Sequence, residues 1–291
     1  MKNILLFVTA ILIWGSTWLV IKFQLGVVDP LISIFYRFLL AALILFIYLF
    51  LTKTKIKYSL KQHMQMALQG ALLFGLNYWL VYLAEQHLTS GLVAIVFSSI
   101  VFLNIIFGTL FLKSKIRLLV VMGAIVGFIG ISFVFKNEII GFNLSSQNSI
   151  ALIIAFIGAI SASLGNISSA YNQKKKIPVI QNNAFGMLYG SILMLILAIS
   201  MNKPIVFDVS IPYILSLLYL SILGSVVAFT CYLTLLGNIG ADKAGYTTLV
   251  IPVIAIILST IFEDYRWNLF VLIGIILISL GNILVLRRKR R

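Results

Sequence analysis

The chain has 291 residues, 62% of them hydrophobic and only 10% charged, with a mean hydropathy of +1.12; that composition excludes an ordinary water-soluble domain. The formal net charge of +15 lies in short connecting segments and at the C-terminus rather than on one folded basic face, which argues against nucleic acid as a partner. The single cysteine, Cys231, rules out an intrachain disulfide and a cysteine-held metal cluster.

Ten apolar stretches of roughly twenty residues follow one another at 4–23, 31–51, 64–84, 91–112, 116–135, 149–170, 183–201, 212–236, 243–262 and 267–286. A hydrocarbon core about 30 Å thick takes about 20 helical residues to cross, and a helix satisfies its own backbone groups in lipid. The sequence therefore predicts an all-α polytopic membrane protein of ten transmembrane helices, with little mass outside the bilayer. The first stretch follows only Lys2 and lacks an obvious small-residue cleavage site, so it reads as a retained helix. Asp29-Pro30, Lys53 to Lys61, Lys174 to Pro178 and Asn202-Lys203-Pro204 punctuate the series as turns.

Lysine and arginine set the expected orientation. With the N-terminus inside, the inner segments hold Lys2, four lysines from Lys53 to Lys61, Lys113, Lys115, Arg117, Lys174 to Lys176, Lys243 and the five basic residues Arg287 to Arg291. The outer segments hold only Lys22, Lys136, Lys203 and Arg266, while every acid but Asp242 falls outside. This predicts a multi-pass protein of the cytoplasmic (inner) membrane with both termini cytoplasmic. The Arg287 to Arg291 tail is expected to attract anionic inner-leaflet lipid.

The two halves echo each other. Residues 82–116, from Tyr82-Leu83-Ala84 to Thr109-Leu110-Phe111 and just beyond, resemble 232–267, from Tyr232-Leu233-Thr234 through Thr260-Ile261-Phe262; Gly123 to Phe135 resembles Gly274 to Leu286. A duplicated unit of five spans has an odd number of crossings, so its second copy inserts upside down. The expected organisation is two inverted five-helix repeats, 1–136 and 149–291, joined by the linker 137–148.

Several motifs resemble one family. Ala10-Ile11-Leu12-Ile13-Trp14-Gly15-Ser16-Thr17-Trp18 is similar to the opening Trp-Gly-Ser/Thr segment of EamA-type permeases of the drug/metabolite transporter superfamily. Tyr36-Arg37-Phe38-Leu39-Leu40-Ala41 resembles the second-span arginine motif, and Thr89-Ser90-Gly91-Leu92-Val93-Ala94 the start of the fourth span. Ile251-Pro252-Val253 and Phe262-Glu263-Asp264-Tyr265-Arg266-Trp267 resemble the proline and glutamate signature that closes the ninth. The first copy departs from the pattern, with Val101 or Phe102 in place of a proline and Lys113-Ser114-Lys115 in place of a glutamate. The resemblance implies an exporter of amino acids, other small metabolites or amphipathic toxins, with no enzyme activity, no cofactor and no metal. It also implies a central pocket walled by spans 1, 3, 4, 6, 8 and 9, and peripheral spans 5 and 10.

The polar residues within spans read two ways. Trp14 lies near mid-depth, where tryptophan is out of place, and shares a face with Thr17 and Trp18. It is either an aromatic wall for a ligand or a packed side chain with its N–H bonded to a neighbour. Asn77 and Asn104 either bond each other or line a polar pocket. Gly158, Ser161, Ala162, Gly165 and Ser168 or Ser169 form a small-residue stripe suited to helix packing, with Asn166 beside it. Pro252 frees the Thr248 carbonyl, which becomes a ligand contact or merely marks a kink. Arg37, within span 2, is either ion-paired with Glu85 or free to bind a substrate carboxylate. Gly123, Gly127, Gly130, Gly274 and Gly281 suit close helix packing, within the chain or in a homodimer.

Candidate contacts for a small-molecule substrate are therefore Trp14, Trp18, Asn77, Tyr78, Tyr82, Ser99, Asn166, Tyr232 and Thr248. Arg37, Glu85, Pro252 and Glu263 are candidates for charge handling and gating. No acid sits at mid-depth, so a proton-linked site must lie near the outer mouth. An intramembrane enzyme finds no catalytic constellation; a channel, an uptake carrier or a structural membrane protein is the remaining alternative.

Overall fold

The computed structural model describes residues 2–113, 118–134, 136, 146–239 and 247–286. Among these the chain forms ten helical rods and no strand. They are α1 (Lys2–Lys22), α2 (Pro30–Leu51), α3 (Leu60–Glu85), α4 (Ser90–Leu112), α5 (Leu118–Val134), α6 (Gln147–Lys174), α7 (Val179–Ser200), α8 (Ile211–Asn238), α9 (Thr247–Phe262) and α10 (Leu269–Leu286). Seven of them are long and apolar enough to cross a membrane; α5, α9 and α10 are shorter apolar helices over their described residues. The chain is a multi-pass membrane protein.

Local chemistry sets the helix ends. Asp29 caps α2, its Oδ1 accepting from the Leu31 N–H at 2.9 Å, with Pro30 in the first turn where its missing N–H costs nothing. Ser59 and Gln62 make a capping box at the start of α3. Lys53, Lys113 and Lys176 end α2, α4 and α6 in the left-handed region, at φ of 51°, 56° and 63°. A cation there meets the negative end of the helix dipole.

Three rods are not uniform. In α3 residues Gly70–Leu76, and in α8 residues Leu220–Val227, wind as π-helix, with α-helix on either side. Helix α4 is interrupted at Ser98–Ser99, where Ser98 Oγ turns back onto the Ile95 carbonyl at 2.7 Å. The break forms although this half of the chain has no proline at the position matching Pro252, which lies inside α9.

Close pairs hold the bundle together: α2 with α7, α5 with α10, α1 with α9, and α3 with α6. Glycines bring backbones into contact at the tightest crossings. A Cβ on Gly130 would lie 2.7 Å from the Gly274 carbonyl oxygen, and one on Gly281 2.5 Å from that of Gly123. These glycine faces are thus filled by each other within one chain. Gly70 meets the Gly186 carbonyl with no room for a side chain. In the small-residue stripe of α6, Gly165 abuts Leu73 and Ser161 donates to the Leu72 carbonyl at 2.8 Å, so the stripe packs on the π segment of α3.

Buried amides pin the end where α6 meets α7. Asn172 Nδ2 donates to Asn182 Oδ1 at 3.0 Å, and Asn182 Nδ2 donates to Gln69 Oε1 at 2.5 Å. The sequence reading begins the seventh span at residue 183, which leaves these amides at its edge or in a loop. The helix instead starts at Val179 and buries them, because they satisfy one another rather than water.

Candidate transport site

A cavity of about 90 Å³ lies midway along the bundle, bounded by α1, α3, α4, α6, α8 and α9. One wall is aromatic. Trp14 and Trp18 come from α1, Tyr78 from α3, Phe97 from α4, and Phe229 and Tyr232 from α8. Trp14 stands 4.9 Å from both Phe229 and Tyr232, ring centre to ring centre, and Trp18 packs edge-on against Phe97 at 5.0 Å. Such an interior takes flat or apolar groups through dispersion and burial.

Polar groups interrupt that wall, and several have no partner of their own. Trp18 Nε1, Asn77 Oδ1 and Asn166 Oδ1 are buried without a hydrogen bond to any described residue, while the Tyr232 hydroxyl faces Asn104. Each of the three unpartnered groups is a donor or acceptor that a bound solute can satisfy, and each is costly to leave unmade. Trp14 differs: its Nε1 donates to the Gly224 carbonyl, in the π segment of α8, at 3.1 Å. Both readings of Trp14 thus meet in one residue, with the ring facing the cavity and the N–H spent on packing.

The sequence candidates divide accordingly. Trp14, Trp18, Asn77, Tyr78, Asn166, Tyr232 and Pro252 line the cavity. Tyr82 and Ser99 are buried away from it, Tyr82 turned toward Arg37 and Ser99 with a hydroxyl unpartnered among the described residues. The side chain of Thr248 lies outside the described residues, as does the basic tail Arg287 to Arg291. Asn77 and Asn104 do not bond each other: Asn77 Nδ2 donates to the Leu73 carbonyl at 3.1 Å, and Asn104 Oδ1 accepts from Ser163 Oγ at 2.7 Å. The π turn exposes the first partner and α6 supplies the second.

Arg37 is fully buried behind Tyr78, with its guanidinium 4.4 Å from that ring centre. Its Nε donates to Ser225 Oγ at 3.0 Å, and the rest of the guanidinium faces Tyr78 and Tyr82. The expected pairing of Arg37 with Glu85 is not made, since neither oxygen of Glu85 has a hydrogen-bond partner among the described residues. Instead α8 takes the arginine through a serine and the aromatic ring takes its face.

Glu263 forms a latch at one end of the cavity. Its carboxylate accepts from the Ser90 N–H at 3.1 and 3.2 Å, from Ser90 Oγ, and from Ser259 Oγ at 2.6 Å. Lys22 Nζ lies 3.5 Å away. An acid at the start of α4 meets unbonded N–H groups and the positive end of the helix dipole, so it joins α1, α4 and α9. Alongside, Gly91 packs on Ile256 and Ser259 of α9. The Ser90–Phe97 half of α4 packs against both α9 and α6, whereas the Ile100–Leu112 half packs against α6 and has left α9.

Sequence reasoning missed Phe97 and Phe229, and it missed Lys22 and Ser90 as partners of Glu263. Phe97 and Phe229 are ordinary residues for an apolar helix, so no local signal marks them. The Ser98-Ser99 pair is the visible trace of the break in α4.

Comparison with known proteins bears on the family and the fold. A model of the EamA-like transporter family matches residues 1–136 and again residues 149–287. The transporter YoaV of Bacillus subtilis is 25% identical over 282 residues, covering 96% of this chain and 95% of its own. The inner membrane transporter YedA of Escherichia coli K12 is 29% identical over 282 residues, covering 94% and 89%. Protein PagO of Salmonella typhimurium is 26% identical over 286 residues, covering 97% and 92%. One solved crystal structure superposes with a TM-score of 0.72 over 97% of this chain and 95% of its own, at 17% identity, a likeness of fold.

Proposed function

The chain belongs to the EamA-like transporter family, and from that premise we propose that it is a secondary transporter that exports small amphipathic metabolites, amino acids among them, by alternating access. The observation that carries this reading is the mid-bundle cavity with its aromatic wall and three polar groups unpartnered among the described residues. A solute with an apolar body and one or two polar ends matches both features.

Ten transmembrane spans in two inverted copies, 1–136 and 149–291 with a linker at 137–148, give the proposal its mechanism. The family match in two blocks supports that organisation. So do the equal 22-residue lengths of α2 and α7, and π segments that begin at Gly70 and Leu220 in matching helices. Each π segment is bonded by the first helix of the other copy, Ser161 to the Leu72 carbonyl and Trp14 to the Gly224 carbonyl. With both termini cytoplasmic, the Glu263 latch is the closed outer door. The cytoplasmic mouth lies where α4 leaves α9. Rocking of one copy against the other breaks the latch and brings those two helices together at the inner end.

Counterflow in proteoliposomes tests the reading, with pooled labelled amino acids, nucleosides and amphipathic cations against empty vesicles. Saturable accumulation of one class, lost in Trp18→Ala, is the expected result. Linear, non-saturating flux through folded protein contradicts it and points to a channel.

A further inference from the structure

The charged cluster beside the latch contains one carboxyl group that the latch does not use. Glu85 ends α3 fully buried, and neither of its carboxyl oxygens has a hydrogen-bond partner among the described residues. Only its backbone is engaged: the carbonyl oxygen accepts from Lys22 Nζ at 2.5 Å, beside the Leu88 carbonyl at 2.7 Å. The charged and titratable groups that act on the carboxyl are Lys22 from α1, Glu263 after α9, Arg37 from α2 and Tyr82 from its own helix. Two acids therefore compete for one lysine, and of the two only Glu263 holds it in an ion pair.

An ionised carboxylate without a donor costs far more to keep out of water than the neutral acid does. The cavity is close by. Val81, one turn before Glu85, and Ile21, next to Lys22, both line it, so the acid lies about 6 Å along the helix axis from the cavity wall.

Resting on the transporter reading above, we propose that Glu85 is a proton-binding site that couples proton movement to the latch. Water at the opened outer mouth delivers a proton, which forms an O–H bond on one Oε and leaves the carboxyl neutral. Lys22 then serves Glu263 alone, and Glu263 holds the start of α4. Loss of that proton to water in the cavity restores the carboxylate. The restored charge repels Glu263, draws Lys22 toward itself, and loosens the cap on Ser90. Protonation thus closes this end and deprotonation opens it, an order that exchanges entering protons for departing substrate.

The test needs no known substrate, because the probe is the proton itself. Infrared difference spectra of the purified protein in lipid, recorded across pH in H2O and D2O, report a protonated carboxyl as a deuterium-sensitive C=O band. The expected result is a titrating band that is lost in Glu85→Gln, shifted in Glu85→Asp and kept in Glu263→Gln. A band that survives Glu85→Gln, or no titrating band in folded protein, overturns the proposal. A second measurement follows the latch through spin labels at Gln86 and Arg266, both exposed, in a Cys231→Ser background. The distance between them is expected to widen as pH rises in the parent and to stay at its low-pH value in Glu85→Gln; equal widening in both contradicts coupling. Counterflow without a Glu85 band removes this proposal alone, whereas linear, non-saturating flux removes the transporter reading and the coupling with it, whatever the band shows.

Discussion

At the scale of single residues, the two tryptophans of α1 separate packing from binding. Trp14 donates its N–H to the Gly224 carbonyl, while the Trp18 N–H is buried and unpartnered. Trp14→Phe therefore strands a carbonyl and is expected to lower stability by about 1 kcal/mol. Trp18→Phe should leave stability unchanged and weaken uptake in counterflow. Thermal unfolding in lipid, run beside counterflow, checks both, and equal stability loss in the two variants would contradict the assignment. Arg37→Lys is expected to cost about 2 kcal/mol, because a lysine loses both the bond to Ser225 and the planar stacking on Tyr78. If that variant unfolds at the same temperature as the parent, the packing role is ruled out. Polar residues stranded in an apolar sequence, such as Asn77, Asn166 and Trp18, were legible as candidates because hydrocarbon penalises them. The role of Arg37 was not, since its partner is a serine far along the chain whose own sequence carries no mark.

At the scale of elements, hydropathy located the rods but not their interiors. A π turn adds one residue without changing composition, so nothing in Gly70–Leu76 or Leu220–Val227 announces it. The consequence is local. The extra residue turns backbone carbonyls outward, and Trp14 and Ser161 take two of them. The pairing of α5 with α10 was only half legible, because the glycines promised a close contact without naming the partner. Gly281→Leu pushes a side chain into the Gly123 and Gly127 backbone and is expected to cost about 1–3 kcal/mol, while counterflow per folded molecule is retained. Loss of transport per folded molecule in that variant would place this helix pair inside the mechanism rather than at its edge.

At the scale of the whole molecule, a multi-pass helical bundle was written in the apolar stretches, since lipid leaves a chain few other ways to satisfy its backbone. The six helices around the cavity were indicated by the family resemblance and not by hydropathy, and the side chains that close it were only partly legible. Which side chains do so depends on which faces of six helices meet, and those faces are set by packing among residues that are mostly apolar. The central claim is that the cavity reaches one side of the membrane at a time, with the Glu263 latch closing the outer side. The most direct measurement is labelling of Ser98→Cys, a cavity residue, in a Cys231→Ser background with thiol reagents added from either face. Labelling from the cytoplasmic face alone is expected, with a gain of labelling from the outer face when Glu263→Gln removes the ion pair with Lys22. Equal labelling from both faces in the parent, or no change on removing the latch, would contradict it.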